Sequence, residues 1–417
     1  MTAGIRRDHG RGQGVSVRAR LLRLADVTPA EWVRWQALSD RAAEANLAFD
    51  PRFLSHDQGG DGEDEYLFVV AEEDDRWFGV LRVFAMEALP SLGVPTYGTW
   101  DPPLFGASHP LLDRSRAADA LEAIARAARR ELRSGFIPLR GYPASGPLAD
   151  ALQTVRRRRT MDAVVVASHA AAWVDVTADA SLPPGEPREF PADLDPVYRS
   201  TNTRRMLRRH ARRLAETAHG PLVLRDASDD LAAIDRFVQM QASGWKGDSE
   251  QGGTAVALDA RGERVFREKI EAFRASGDLI VLELWAATTC VYSTVVLVVG
   301  NVAMPFLDAY QHEFRDFSAG TLGRTAVNAH LRRLQRLVAV NPGIYDYYDE
   351  AAKTYPDRRE FVDVVLGVGV VPSRAVRLLP RADTSPRMRG LLRGLARGDR
   401  LGMRALGAAR RRLGQDR

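Results

Sequence analysis

The chain has 417 residues, 45% of them hydrophobic, a length that suggests two domains of about 150 to 200 residues each rather than one ordinary core. Its single cysteine, Cys290, excludes an intrachain disulfide and a cysteine-based zinc site; no i, i+4 histidine pair with a carboxylate partner, Walker loop or Gly-x-Ser-x-Gly elbow occurs, so metal, P-loop and serine-hydrolase chemistry recede. The net charge of +5 is uneven: residues 374–417 hold thirteen arginines against Asp383, Asp399 and Asp416, so the first 373 residues are near −5 and nucleic acid is not expected as a partner of the folded body.

Residues 1–16 are Gly- and Arg-rich without an apolar run. They are expected to be disordered and not to act as a signal peptide, which together with the cysteine usage points to the cytoplasm. An Ala- and Leu-rich helix is expected around 31–45, then an acidic, Gly-rich loop at 56–65. Strands at 66–71 and 77–85 flank Glu72-Glu-Asp-Asp-Arg76 as in a hairpin. A helix over 114–134 places Ala118, Leu121, Ala125 and Ala128 on one face, and strands follow at 136–140, 162–168 and 173–177. The Pro-rich stretch 182–187 marks a boundary, giving an N-terminal domain at 17–182, a second at 183–372 and an Arg-rich tail at 373–417.

The second half opens with a helix signalled by Ser200 or Thr201, with Leu207, Ala211, Leu214 and Ala218 on its apolar face. Its other faces carry seven arginines from Arg199 to Arg213, either a solvated surface or a site for phosphate or an acidic substrate. A strand at 221–225 and helices at 230–242 and 263–276 follow, with Gly244-Trp-Lys-Gly247 between the helices. Residues 279–307 carry almost no charge except Glu283 and are long enough to span a membrane. Their β-branched content, their polar Thr288, Thr289, Ser293 and Thr294, and the tight-turn pair Gly300-Asn301 favour three antiparallel strands instead, at 279–287, 291–300 and 302–311.

The chemistry is expected between residues 301 and 337. Strand alternation puts Asp308, Tyr310 and His312 on one face. The turn 314–323 then leads into an amphipathic helix with Val327, Leu331, Leu334 and Val338 apolar. Ser318 and Thr321 can cap this helix, while Gly320 and Gly323 let an anion approach its positive end; a plain N-cap is the alternative. A short helix holding Lys353 and Tyr355 and a last strand at 361–369 complete the half. In the tail, Pro372, Pro380 and Pro386 segment the chain before a helix beginning near Met388. Its interleaved arginines and leucines suit either an anionic membrane face or a flexible solubilising tail.

These motifs resemble the GNAT superfamily of acyl-CoA-dependent acyltransferases, in the branch associated with cellulose and exopolysaccharide biosynthesis. Ser200-Thr-Asn-Thr-Arg-Arg-Met-Leu-Arg-Arg209 looks like that branch's Arg-rich helix, and Trp245-Lys-Gly like its Trp-Lys-Gly turn. Asp308-Ala-Tyr310 followed by Phe317-Ser-Ala-Gly320 is similar to its Tyr-Asp strand and Ser-Pro-Gly turn, and residues 346–355 to its final strand and Tyr-Lys element. In the first half, Asn46-Leu-Ala-Phe49 and Asp101-Pro-Pro-Leu-Phe105 are similar to weaker motifs of a degenerate partner domain. Ala319 stands in place of the usual proline, Lys353-Thr-Tyr355 reorders the Tyr-Lys pair, and the Ala286-Ala-Thr-Thr289 turn lacks the customary Asp-Gly.

The resemblance, over about residues 18–370, implies an α/β (α+β) fold of tandem GNAT-like domains, each a mixed, mostly antiparallel sheet flanked by helices, as in FemAB-type transferases. It implies acyl-CoA, typically acetyl-CoA, as co-substrate, no metal, and an amine or hydroxyl of a small molecule or saccharide as acceptor. Phe317, Ser318, Ala319, Gly320, Thr321, Leu322 and Gly323 would hold the pyrophosphate. Asp308 or His312, sharing a face with Tyr310, would take the acceptor's proton; Tyr355 would protonate the thiolate, Lys353 would stabilise charge, and Arg204, Arg205, Trp245 and Lys246 would meet substrate. The plainer readings are an Asp308 paired with an arginine, a packed Tyr355 and an exposed Lys353. A FemAB-like aminoacyl-tRNA transferase and a silent binding protein of the same fold are the alternatives.

Overall fold

The structure, a computed structural model, describes residues 17–57, 67–86, 96–98, 109–158, 161–176, 189–190, 201–345, 354–355, 357–382 and 385–415. Residues 1–16, most of the acidic loop, the 101–105 motif, the 182–187 boundary and Lys353 lie outside the described residues.

The first half begins with strand β1 (Arg18–Arg23) and helix α1 (Pro29–Asp40). The helix starts where Thr28 and Glu31 exchange capping hydrogen bonds and Pro29 takes the first position. After the short helix α2 (Pro51–Leu54), β2 (Leu67–Glu73) and β3 (Arg76–Met86) form the expected hairpin. Its two turn residues, Asp74 and Asp75, have φ of 46° and 64°, the left-handed pair that matches strand twist. With β4 (Thr96–Gly98) and β5 (Leu111–Leu112) these strands make a five-stranded sheet. Alternate side chains of β2 divide between two cores: Phe68 and Val70 join Trp35 of α1, while Val69 and Ala71 join Leu121 and Ile124 of α3 (Ala117–Glu131).

The next elements are β6 (Phe136–Pro143), α4 (Pro147–Arg156) and β7 (Met161–Asp175). Most of the two strands expected at 162–168 and 173–177 is one continuous strand. The second half adds β8 (Glu189–Phe190), α5 (Thr201–Thr217), β9 (Leu222–Asp226), α6 (Ala233–Ser243) and α7 (Ala260–Ala275). The apolar stretch that could have been a membrane span is indeed three antiparallel strands, β10 (Leu279–Ala286), β11 (Thr289–Val299) and β12 (Val302–Tyr310). Among the described residues no helix is long and apolar enough to cross a membrane. Helix α8 (Ala319–Leu331), β13 (Ala339–Val340) and β14 (Asp357–Val368) follow.

A nine-stranded sheet runs in the order β6-β14-β7-β13-β12-β11-β10-β9-β8. The strand expected to end the second half, β14, therefore lies between two strands of the first, and β7 reaches across to pair with β13. Helices α5 and α8 cover one face of this sheet through Leu207, Leu214, Leu322 and Ala326, and α6 and α7 cover the other through Phe237, Phe266 and Phe273. Arg52 of the first half adds a clamp, binding Asp50 beside it and Asp278 of the second half while stacking over Phe273. The fold is thus mixed α/β, with largely antiparallel sheets flanked by helices.

The tail departs from expectation. It forms a continuous helix, Pro386–Gln415, whose inner side is docked rather than free: Leu392 is fully buried and Ala396 nearly so, against Phe136, Val365 and Val376. Asp399 pairs with Arg129 at 2.8 Å. The three prolines that segment this region stand in the first turns of successive helices, Val370–Ala375, Leu379–Ala382 and Pro386–Gln415, where a missing N–H costs nothing.

Candidate active site

Strand β12 is interrupted in its middle. Its register with β11 is Val296↔Pro305 and then Val295↔Leu307, so Phe306 is an extra, bulged residue beside a proline that has no N–H to give the ladder. The bulge inverts the side-chain alternation. Before it, Val302 and Met304 face α6 and α7 while Ala303 faces α5 and α8; after it, Ala309 faces α6 and α7, and Tyr310 packs with the α5 and α8 core. Asp308 and Tyr310 do share a face, as expected, but it is opposite to the face of Val302 and Met304.

On its other edge β12 pairs in parallel with β13 through Val302↔Ala339 and Ala303↔Val340, and Asn341 N–H donates to the Ala303 carbonyl at 2.8 Å. Residues 342–344 then run toward β7, where Ala172 N–H donates to the Ile344 carbonyl. The opening holds a cavity of about 200 Å³ lined by Lys246, Tyr292, Thr294, residues 305–308, Arg324, Val327, Pro342, Ile344 and Tyr355.

Charge in this cavity centres on Asp308. Its Oδ2 accepts from Arg324 Nε at 2.7 Å and from the Tyr292 hydroxyl at 3.4 Å, and Lys246 Nζ lies 3.5 Å from Oδ1 and donates to the Asp308 carbonyl at 2.9 Å. Burial alone would raise the Asp308 pKa, but Arg324 and Lys246 outweigh it and hold the carboxyl below the usual range. Burial first, and then the Asp308 charge, push the Tyr292 phenol well above its ordinary value, so it remains an O–H donor. The Arg324 guanidinium is pushed up by Asp308 against the opposing effect of burial. Only its Nε is engaged, which leaves two amino groups without a partner among the described residues. The Tyr355 side chain is buried at the cavity wall.

A smaller pocket adjoins, lined by Met240, Gln241, Gly244, Trp245, Lys246, Ala309, Tyr310 and His312. Lys246 belongs to both. The Trp245-Lys-Gly247 segment is a 3₁₀ turn after α6, and Trp245 is 46% exposed. His312 is not on the strand, which ends at Tyr310, but in the following 3₁₀ turn, where Nε2 meets Arg315.

The start of α8 also differs in detail from expectation. Ser318 occupies the cap position in the left-handed region, φ 56°, with no side-chain cap bond, and its hydroxyl instead meets His210 Nδ1 of α5 at 3.1 Å. Thr321 lies in the first turn and cannot cap it; its carbonyl accepts from Thr325. Arg213 stacks over the Phe317 ring, so α5 flanks this helix start. Ala319 and Leu322 are buried in the core. Gly320 backs onto Tyr310, where a Cβ would sit 3.3 Å from the ring, and Gly323 backs onto Tyr292, where it would sit 2.2 Å away. The small size of Gly323 is therefore consumed by packing rather than left open to an anion. Arg205 is exposed and Arg204 half-buried on α5, and neither lines the cavity. Lys353 is not described.

The structure thus brings Asp308, Lys246 and Tyr355 together and places Tyr310, His312 and Trp245 alongside. Tyr292, Thr294 and Arg324 are additions that sequence reasoning missed.

Strands β12 and β13 thus pair in parallel over two residues and part after Ala303 and Val340, with a bulge in β12 and the start of α8 beyond it. Residues 201–347 match the family model described as Acetyltransferase (GNAT) domain. Solved structures similar to the chain include FemX (10% identity, over 82% of this chain and 96% of that one, TM-score 0.48). Others are L-PGS from Bacillus licheniformis (11%, 87% and 98%, 0.43) and a tandem GNAT protein from the clavulanic acid biosynthesis pathway (16%, 84% and 98%, 0.36). Similarity at this level carries neither substrate nor mechanism. No curated protein matches the chain.

Proposed function

We propose that this protein is an acyl-CoA-dependent N- or O-acyltransferase that passes its acyl group directly to an amine or hydroxyl. The observation that carries this reading is the opening between β12 and β13, whose cavity brings Asp308, Tyr292, Tyr355, Lys246 and Arg324 together. The α8 start beyond β12 has no side-chain cap and is flanked by His210 and Arg213, which suits it to phosphate oxygens. A bound thioester supplies the activated acyl group; the protein's part is to align the acceptor, so that attack becomes effectively intramolecular, and to manage two protons. Asp308, kept ionised by its two cations, is better fitted to orient Tyr292 and Arg324 than to take a proton. His312, beside Trp245 and Lys246, is then the base for an acceptor in the smaller pocket once Arg315 gives up its bond to Nε2. Tyr355 or Tyr292 returns a proton to the leaving sulfur, and the Arg324 amino groups, which have no partner among the described residues, meet an oxygen of either reactant. The exposed Trp245 ring beside this pocket suits a saccharide acceptor, and the reading assigns the reaction to the cytoplasm, with polysaccharide precursors as the acceptor class to try first.

The six arginines of α5 favour one competing reading, transfer from aminoacyl-tRNA. A thermal-shift comparison separates the two. Saturating acetyl-CoA at about 100 Kd should stabilise the wild type by roughly 2.7 kcal/mol. It should not stabilise Thr321→Glu, whose carboxylate is favourable at a helix start but repels phosphate. Stabilisation by deacylated tRNA and not by acetyl-CoA would replace the first reading with the second; no response to either would leave a silent binding protein.

A further inference from the structure

The helix Pro386–Gln415 carries nine arginines and a single acid, Asp399, which is already used by Arg129. Its inner side, Leu392, Ala396 and Asp399, is docked on the fold. On the outward side stand Arg387 and Leu391, one turn of helix apart, and Arg393, Arg397 and Leu401, each one turn from the next, all exposed, with Leu391 at 52% and Leu401 at 64%. At 100° per residue, Arg393, Arg397, Leu401, Arg387 and Leu391 fan across one face in that order. None of these three arginines has an ion-pair partner among the described residues. Two further exposed apolar residues, Val370 at 57% and Val371 at 44%, begin the neighbouring helix, whose Pro372 comes close to Asp399 around Gly135.

A solvated helix face usually pairs its arginines with acids and keeps large apolar side chains inward. This face does neither. Unpaired guanidinium groups that alternate with exposed leucines match a surface that is anionic in its outer layer and apolar just beneath. They match nucleic acid less well, because its phosphates give the leucines nothing to enter, and they oppose self-association, since two copies of one cationic face repel.

We propose that this outward face is a docking surface for an anionic lipid bilayer, with the arginines at the headgroups and Leu391 and Leu401 inserted below them. The helix is already held by the fold, so binding need not fold it. The surface is independent of the acyltransfer reading.

The test uses the full chain and vesicles of phosphatidylglycerol and phosphatidylcholine at 30:70, a composition on the order of that of an anionic leaflet. The wild type should co-sediment at low salt, bind far less at 0.5 M salt, a concentration of the order that screens surface charge, and ignore pure phosphatidylcholine. Each arginine near such a surface is worth about fivefold in partitioning, so R387Q/R393Q/R397Q should bind roughly a hundredfold more weakly. L391Q/L401Q should lose binding while keeping the salt dependence of what remains. These positions are exposed, so urea unfolding of both variants should match the wild type, which keeps a folding defect from imitating the result. Absence of wild-type binding at low salt, or equal binding by the triple variant, would overturn the proposal. So would preference for a 30-nucleotide RNA over vesicles, with that RNA binding lost in the same variant.

Discussion

Gly323→Ala tests the reasoning about the α8 start at a single methyl group. A Cβ there would lie 2.2, 2.3 and 2.4 Å from Cγ, Cδ1 and Cδ2 of Tyr292, and that ring is 1% exposed. Carbon atoms rest about 3.5 Å or more apart, so ring or helix must shift by more than about 1 Å. Overpacking of this kind costs about 1–3 kcal/mol, against a gain of about 1 kcal/mol from replacing glycine inside a helix. A clash with three atoms of a buried ring belongs at the upper end of that range, so the expected net is a loss of about 1–2 kcal/mol, which at an unfolding entropy of about 2.1 cal/mol/K per residue lowers Tm of this 417-residue chain by about 1–2 °C. Gly320→Ala is the control: its Cβ would meet Tyr310 at 3.3 Å, a distance that small adjustments absorb, so stability should hold or rise slightly. Urea unfolding of both variants with an unchanged m-value gives the comparison. If Gly323→Ala unfolds at the wild-type midpoint, Tyr292 is not packed against α8 as described and the geometry of the Asp308 cluster falls with it.

Three other variants follow from the same structure. Asp308→Asn leaves the mostly buried Arg324 without its anion and should cost about 3 kcal/mol. Because the Asp308 pKa is lowered in the fold, the wild-type advantage should be complete above the unfolded carboxyl pKa and disappear as pH falls through the lowered value, which an acid titration of both proteins would show. Burial, together with the Arg359 charge and against a bond to the Pro110 carbonyl, lowers the His109 pKa to about 4. Between about pH 6.5 and 4 the unfolded chain takes up a proton that the fold refuses, so stability should fall by up to about 3 kcal/mol over that window, and His109→Gln should flatten the slope of ΔG against pH. Leu392→Ala should destabilise the protein by about 2–5 kcal/mol if the tail helix is part of the core; urea unfolding identical to the wild type would leave the helix merely resting on the surface.

Much of the fold is legible in the residues. Gly300-Asn301 announces the β11–β12 turn, the Ala- and Leu-rich run from Glu31 announces α1, and the β-branched run 279–307 announces strands. The site is less legible, and the bulge is the reason. Counting outward from the 300–301 turn pairs Asp308 with Ser293 and Tyr310 with Val291; the extra residue Phe306 changes these partners to Thr294 and Tyr292. Tyr292 enters the site by that one-residue shift, and Pro305 is the local signal that could have raised it. Arg324 stays hidden for the same reason, since it matters only once Asp308 is known to face α8. In the tail, arginine counting reads the outer face and says nothing of Leu392, whose partners Phe136 and Val365 are far away in sequence. The placement of β14 between β6 and β7 is likewise a long-range pairing with no local sign.

That placement gives the chain a timetable. β6 and β7 are complete by residue 175, yet the strand that joins them ends at residue 368. At ribosomal speeds of about 5–20 residues per second, the edges that await β14 stay open for roughly 10–40 s while the intervening chain is made. During that time the first half is a sheet with a missing member and an exposed valine-rich strand, open to aberrant pairing. A cut at residue 182 would make this condition permanent, so the two halves should rescue one another when co-expressed as fragments and precipitate when made apart.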